Sequence, residues 1–173
     1  LLLGLKGDRK PVTFIEDAAV SPEHLPRFVA RFRETLKKHG TEGAFYGHAS
    51  VGCLHVRPLL NLKDQSDVAT MRRISEDITD VVLEFGGSLS GEHGDGLARS
   101  EWNRKMFGDT VYNAFCQIKD AFDPHHLFNP GSLHENMGKN GWRWWWWWWW
   151  FWSSQSILRP WWWWFWGIFS GSS

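Results

Sequence analysis

The sequence predicts an α+β fold: a ferredoxin-like antiparallel sheet with flanking helices, plus a C-terminal helical segment. Three observations predict it. Short extended stretches and longer amphipathic ones follow the order strand, helix, strand, strand, helix, strand, which is the split β-α-β arrangement. Both long stretches carry apolar residues at helical spacing. Glycine-bearing turns bound the extended ones.

"PVTFIEDAAV", Pro11 to Val20, reads as the first strand. "SPEHLPRFVARFRETLKKHG" follows as a helix, with Ser21 as N-cap, Pro22 at its first position and Gly40 as its stop. Leu25, Phe28, Val29, Phe32 and Leu36 share one face and supply a core stripe. "GAFYGHAS" and "GCLHVRPLLNL" are two extended stretches separated by a glycine-bearing turn. A second helix spans 66–85, with Val68, Met71, Ile74, Ile78, Val81, Val82 and Phe85 along one side. "GSLSG" returns as a short strand, and a further helix over 109–122 carries Val111, Phe115, Ile118 and Phe122. "DPHHLFNPG" closes this region as a proline-punctuated loop.

The chain of 173 residues is long enough for one domain with its own core. Nineteen basic residues balance nineteen acidic ones, which argues against a nucleic-acid partner or an electrostatically held membrane surface. Cys53 and Cys116 give no disulfide framework and no paired-thiol pattern, so a reducing, cytoplasmic setting is expected. The chain opens on "LLLGLKGDRKP", without methionine or a recognisable signal peptide, and reads as the middle of something longer.

Composition breaks near Gly141. Fourteen of the fifteen tryptophans lie in the last 32 residues, with neither a helical nor a strand period. The expected organisation is therefore a domain over 1–138 and a tryptophan-rich low-complexity tail over 139–173. Ser153, Ser154, Gln155, Arg159 and Pro160 divide the aromatic blocks, which makes a membrane span a poor fit and leaves interfacial contact open. Seven consecutive tryptophans require an uninterrupted repeat of one codon, so the tail reads as a repeat, frameshift or assembly product with no selected function.

The chemistry gathers in "SGEHGDGLARS", Ser90 to Ser100, where Glu92 and His93 stand among glycines. Those glycines disfavour a helix by roughly 1 kcal/mol each, so the segment is a loop. In "YGHASVGCLHVRP", His48 and His55 are seven residues apart, an odd spacing that sends them to opposite faces of one straight strand. A turn at 50–52 lets them converge. Two imidazoles and one carboxylate then form a three-ligand metal set with an open position, the catalytic pattern. Buried, partnered histidines with a structural role explain the same spacing, and "HGDG" alone is an ordinary turn.

The stretches "GDRKP", "FIEDAAV", "YGHASVGCLHVRPLLNL", "LEFGGSLSGEHGDGLARS" and "FDPHHLFNPG" resemble the C-terminal cap and substrate domain of FAD-linked oxidases of the vanillyl-alcohol-oxidase superfamily. The likeness is greatest to the D-2-hydroxy acid dehydrogenases of the D-lactate, glycolate and D-2-hydroxyglutarate type. It covers residues 1–135. The resemblance implies that His48, His55 and Glu92 hold a divalent metal, with zinc the default and iron or manganese also suited. It implies that His93 is the base and that Asn129 of "NPG" approaches the flavin. The ion fixes a 2-hydroxy acid and lowers its hydroxyl pKa, His93 removes that proton, and FAD accepts the hydride. Glu92 and His93 are expected to divide this work because neighbours in an extended segment point apart.

The resemblance also implies partners: an N-terminal FAD-binding domain absent from this chain and, as in fused relatives, an iron–sulfur domain or subunit. Cysteines for such a cluster are missing after residue 138. The implied location is cytoplasmic, with peripheral contact at the inner membrane. Arg57, where relatives often carry asparagine, either contacts substrate or packs its stem on the sheet. Cys53 reads as a small core residue rather than a nucleophile. A metal-dependent hydrolase and an inactive or binding fragment are the alternatives of other classes.

Overall fold

A computed structural model describes residues 4–130. The expected tail over 139–173 lies outside the described residues. The elements are β1 (Lys10–Pro11), β2 (Ala18–Ala19), α1 (Leu25–Lys38), β3 (Gly43–His48), β4 (Cys53–Leu60), α2 (Gln65–Glu84), α3 (Gly96–Arg99) and α4 (Asn103–Phe122).

β4 is the axis of the sheet. One edge pairs antiparallel with β3, from Gly43 opposite Pro58 to His48 opposite Cys53. Its other edge takes β1 at Leu59 and Leu60, and β2 at Cys53 and Leu54, both antiparallel. Beyond β2, Ser88 and Ser90 bridge Ala19 and Asp17. The order across the sheet is therefore 88–90, 10–20, β4, β3, as the ferredoxin-like reading requires.

Two of the expected strands are fragmentary. The segment over 11–20 bends at 14–16, and the bend lets consecutive Phe14 and Ile15 both bury to 1% exposure. A straight strand would have sent them to opposite faces. "GSLSG" makes only isolated bridges, because the Ser88 hydroxyl donates to the Ser90 carbonyl (2.7 Å) and turns the chain locally.

Helices α1 and α2 pack together and bury one face of the sheet. Phe28, Phe32 and Leu36 of α1 meet Met71, Ile74, Ile78, Val81 and Val82 of α2 over Leu54, Val56 and Leu60 of β4. Each large side chain fully buried contributes roughly 1.5–3 kcal/mol. Leu25 and Val29 are only half-buried, and Thr35 takes a core place by donating its hydroxyl to the Arg31 carbonyl (3.0 Å). A 3-10 turn over Pro22–His24 precedes α1, and Ser21 makes no side-chain capping bond. At α2 the cap is Asp64, whose carboxylate accepts from the Ser66 N–H (2.8 Å).

The last helix departs most from expectation. α4 starts at Asn103 and is interrupted at Gly108 (φ 74°, ψ 170°), so the expected start near Asp109 corresponds to its second part. Val111, Ile118 and Phe122 are 42%, 58% and 84% exposed, and Phe115 is half-buried. Most of the apolar stripe that this helix carries is therefore exposed among the described residues. Trp102, Asn103 and Tyr112 are the buried anchors instead, aided by ion pairs Arg72–Glu101 (3.1 Å) and Lys105–Asp80 (2.6 Å). No helix among the described residues is long and apolar enough to cross a membrane.

Candidate functional site

The free face of the sheet, opposite the helices, carries the site. Alternation along β4 sends Leu54, Val56 and Leu60 to the core and leaves His55 and Arg57 on the other side. Tyr46 lies directly opposite His55, and His48 two residues further along β3 shares that face. The hairpin turn, a 3-10 turn over Ala49–Val51 closed by Gly52, converts the odd spacing into a same-face pair, with imidazole centroids 5.4 Å apart. Gly52 is required there: its φ is +70°, and a Cβ would lie 1.7 Å from the Val20 carbonyl oxygen.

The loop carrying Glu92 and His93 is held by one buried carboxylate. Asp17, with no exposed surface, accepts from the Ser90 hydroxyl (2.6 Å), the His93 N–H (2.8 Å) and the Glu92 N–H (3.2 Å). Burial pushes its pKa up, but those three donors outweigh burial, and the carboxyl lies below its ordinary value. The Cys53 thiol also points at Asp17 (3.5 Å), and burial together with that carboxylate raises its pKa to about 11. Cys53 is thus a protonated, buried thiol rather than a nucleophile.

Around this anchor three imidazoles surround one carboxylate oxygen. Glu92 Oε1 lies 3.0 Å from His55 Nε2, 3.1 Å from His93 Nε2 and 3.5 Å from His48 Nε2. His55 and His93 stack with centroids 5.0 Å apart and planes 12° from parallel. Glu92 and His93 therefore converge instead of pointing apart, because the loop is not extended where Asp17 gathers both N–H groups. His55 is buried, whereas His48, Glu92 and His93 are exposed.

Glu16 supplies the layer behind these groups. Its main-chain carbonyl meets His55 Nδ1 (3.0 Å), and its carboxylate meets His93 Nδ1 (2.7 Å). That carboxylate contact, ahead of the opposing desolvation, holds His93 above the ordinary histidine pKa. Buried Arg99 places Nη1 4.0 Å from the same Glu16 oxygen and donates Nη2 to the Gly94 carbonyl. Neither Glu16 nor Asp17 is among the residues read from the sequence as functional. Their signal was present: two adjacent acids inside the apolar run "FIEDAAV" must be partnered if buried.

The donor set suits a divalent ion. Imidazole nitrogen and carboxylate oxygen are zinc, iron or manganese ligands, and an acceptor already behind Nδ1 of His55 leaves its Nε2 free to ligate. Asp17, His55, Glu92 and His93 each offer a ligand atom within 4.8 Å of the others. Asp17 is better described as an anchor, since its oxygens are engaged by the loop it holds. His48 is the remaining nitrogen facing Glu92.

Of the two other residues singled out in the sequence, one shares this face and one does not. Arg57 lies on the same face as His55, two residues on, with its guanidinium 5.4 Å from the Tyr46 ring centroid and its buried Nε unpartnered by protein. Asn129 does not belong to the histidine cluster. It is exposed in the loop after α4, with φ at +46°, where the Asp123 carboxylate accepts from the N–H groups of Leu127 (2.8 Å) and Phe128 (2.9 Å).

Residues 2–133 match the family described as FAD linked oxidases, C-terminal domain. A D-2-hydroxyglutarate dehydrogenase of Pantoea ananatis is 42% identical over 133 residues, covering 77% of this chain and 13% of the relative. The Escherichia coli protein of the same name is 41% identical with the same coverage. A D-lactate dehydrogenase of Archaeoglobus fulgidus is 30% identical over 128 residues, 74% of this chain and 28% of the relative. The chain thus spans 13% of the length of the two D-2-hydroxyglutarate dehydrogenases.

Proposed function

Because the chain belongs to the family of FAD-linked oxidase C-terminal domains, we propose that it is the substrate-side part of a flavin-dependent dehydrogenase acting on a D-2-hydroxy acid. D-2-hydroxyglutarate is the first substrate to try, from the names of the relatives with 41–42% identity. The observation that carries this reading is the convergence of three imidazole Nε2 atoms on Glu92 Oε1 on the free face of the sheet.

In this proposal His48, His55 and Glu92 hold a divalent ion, with zinc the default. A bound ion supplies Lewis acidity toward the substrate hydroxyl, and a bound FAD supplies the hydride acceptor. The residues of this chain do the rest. His93 Nε2 takes the hydroxyl proton, with Nδ1 already held from behind. Arg57 offers a planar two-pronged donor to a substrate carboxylate, and its stacking on Tyr46 limits the guanidinium's freedom. Asn129, exposed in the loop after α4, would approach a flavin held by another part of the parent protein. An iron–sulfur domain or subunit is the proposed onward electron carrier, in a cytoplasmic protein touching the inner membrane peripherally.

Zinc titration of the metal-free chain is the direct test of the metal site. One ion per chain is expected for the wild type, and Glu92→Gln should weaken binding by tenfold or more, since it removes the charged oxygen at the centre of the set. Equal affinity would reject Glu92 as a ligand. In the full-length parent protein, D-2-hydroxyglutarate should bleach the FAD absorbance. Absence of flavin from that protein would defeat the dehydrogenase reading.

A further inference from the structure

We infer that Glu16 is the positioning residue that gives His93 and His55 different jobs. The two rings are stacked and nearly parallel, and both direct Nε2 at the same Glu92 oxygen. By position alone they are equivalent. They differ in what stands behind Nδ1. The Glu16 carboxylate lies near both, but it is within hydrogen-bond reach only of His93 Nδ1 (2.7 Å); His55 Nδ1 has the Glu16 main-chain carbonyl as its partner (3.0 Å), with the carboxylate 3.6 Å away. Both acceptors call for a hydrogen on Nδ1, while Glu92 Oε1 competes for a hydrogen on Nε2 of both rings, so the influence of Glu16 is isolated when that carboxylate is removed.

The main-chain carbonyl orients His55 as a ligand, so that orientation does not depend on the Glu16 side chain. The carboxylate orients His93 and also faces any positive charge that ring acquires, the arrangement in which a buried acid holds a catalytic imidazole in the right tautomer. Glu16 is 8% exposed, and buried Arg99 places Nη1 4.0 Å from the same Glu16 oxygen that touches His93. That oxygen thus faces both a buried cation and the ring it orients. The groups facing His93 are Glu16 and Asp17 from the segment around β2, His55 from β4 and Glu92 from its own loop.

This inference rests on the reading of His93 as the proton acceptor, and its test needs neither metal, flavin nor substrate. In the ¹⁵N-labelled full chain carrying Glu92→Ala, which removes the acceptor facing both Nε2 atoms, two-bond ¹H–¹⁵N correlations near pH 9, roughly two units above the ordinary imidazole pKa, report which nitrogen carries the hydrogen. With Glu16 in place, His93 and His55 should both show the Nδ1–H pattern. In Glu16→Ala, His93 should lose it for the Nε2–H form that a free imidazole prefers, while His55, held by a main-chain carbonyl, keeps it. Glu16→Leu fills the buried space without an acceptor and should read the same, so it carries the test if the alanine chain does not fold. Glu16→Gln retains a carbonyl acceptor and should restore the Nδ1–H pattern at His93.

In that Glu92→Ala chain, an Nε2–H pattern at His93 with Glu16 in place, or an Nδ1–H pattern that survives Glu16→Ala or Glu16→Leu, would overturn the inference. Either result leaves metal binding and hydroxy acid oxidation standing. Conversely, a chain that fails to bind zinc leaves the tautomer result intact.

Discussion

The free face around Asp17 and the second half of α4 treat burial in opposite ways. Around Asp17 the polar groups lie in or beside the interior and find partners: a hydroxyl and two main-chain N–H groups on one carboxylate, and two imidazoles on Glu16. On α4 the apolar side chains of Val111, Ile118 and Phe122 lie at the surface. The difference teaches that residues 4–130 assemble the candidate site from their own chain, whereas the α4 stripe is not part of what holds that site together. Burial of a polar group must be matched by partners at once, while exposure of an apolar one is tolerated at modest cost.

That contrast breaks if Asp17 proves dispensable. Asp17→Ala strands three donors, each worth ~1–3 kcal/mol when left unsatisfied, so urea unfolding should show a loss of about 3–5 kcal/mol. A loss under about 1 kcal/mol would mean that the Glu92–His93 loop is held by something else. Next in size is Gly52→Ala, which combines a left-handed backbone with a collision against the Val20 carbonyl and should cost about 3 kcal/mol in the same measurement. A smaller effect would show that the hairpin turn can shift without disturbing β2.

Acid sharpens the comparison. The folded pKa of Asp17 lies below the ordinary value, so its stabilisation is present above the ordinary carboxylate pKa, ~3.9, and is lost as pH falls through the folded value. Asp123 behaves alike: the Lys119 ammonium outweighs desolvation, with help from the N–H groups of Leu127 and Phe128, and holds its carboxyl at about 2. The thermal unfolding temperature should therefore fall steadily between about pH 4 and pH 2, and Asp17→Asn should remove part of that dependence. A profile unchanged in Asp17→Asn would contradict the assignment. Smallest is Ile118→Ser on the exposed stripe, which should stay within about 0.5 kcal/mol of wild type. A larger loss would show that the stripe is covered in the whole chain.

Much of the fold was legible because it rests on periodicity. The stripes Phe28, Phe32, Leu36 and Met71, Ile74, Ile78, Val82 reported two helices facing one sheet, and the element order implied the topology. The hairpin that brings His48 and His55 together was readable from Gly52. The bend at 14–16 was not, since local alternation says nothing about which neighbours the core wants buried together. The exposure of the α4 stripe was not legible either, for a related reason: helical spacing marks a face, while covering it depends on what packs there.

By itself the sequence determined the elements, the apolar faces and the residue types of the site, because these follow from local spacing and side-chain chemistry. Tertiary structure decided how those residues act together. Glu16 and Asp17 are neighbours in the chain, yet one orients two imidazoles and the other secures the loop 75 and 76 positions later, at Glu92 and His93. Such roles depend on which groups a buried carboxylate meets across the sheet, and hydrogen bonds are satisfied by proximity in space rather than by order along the chain.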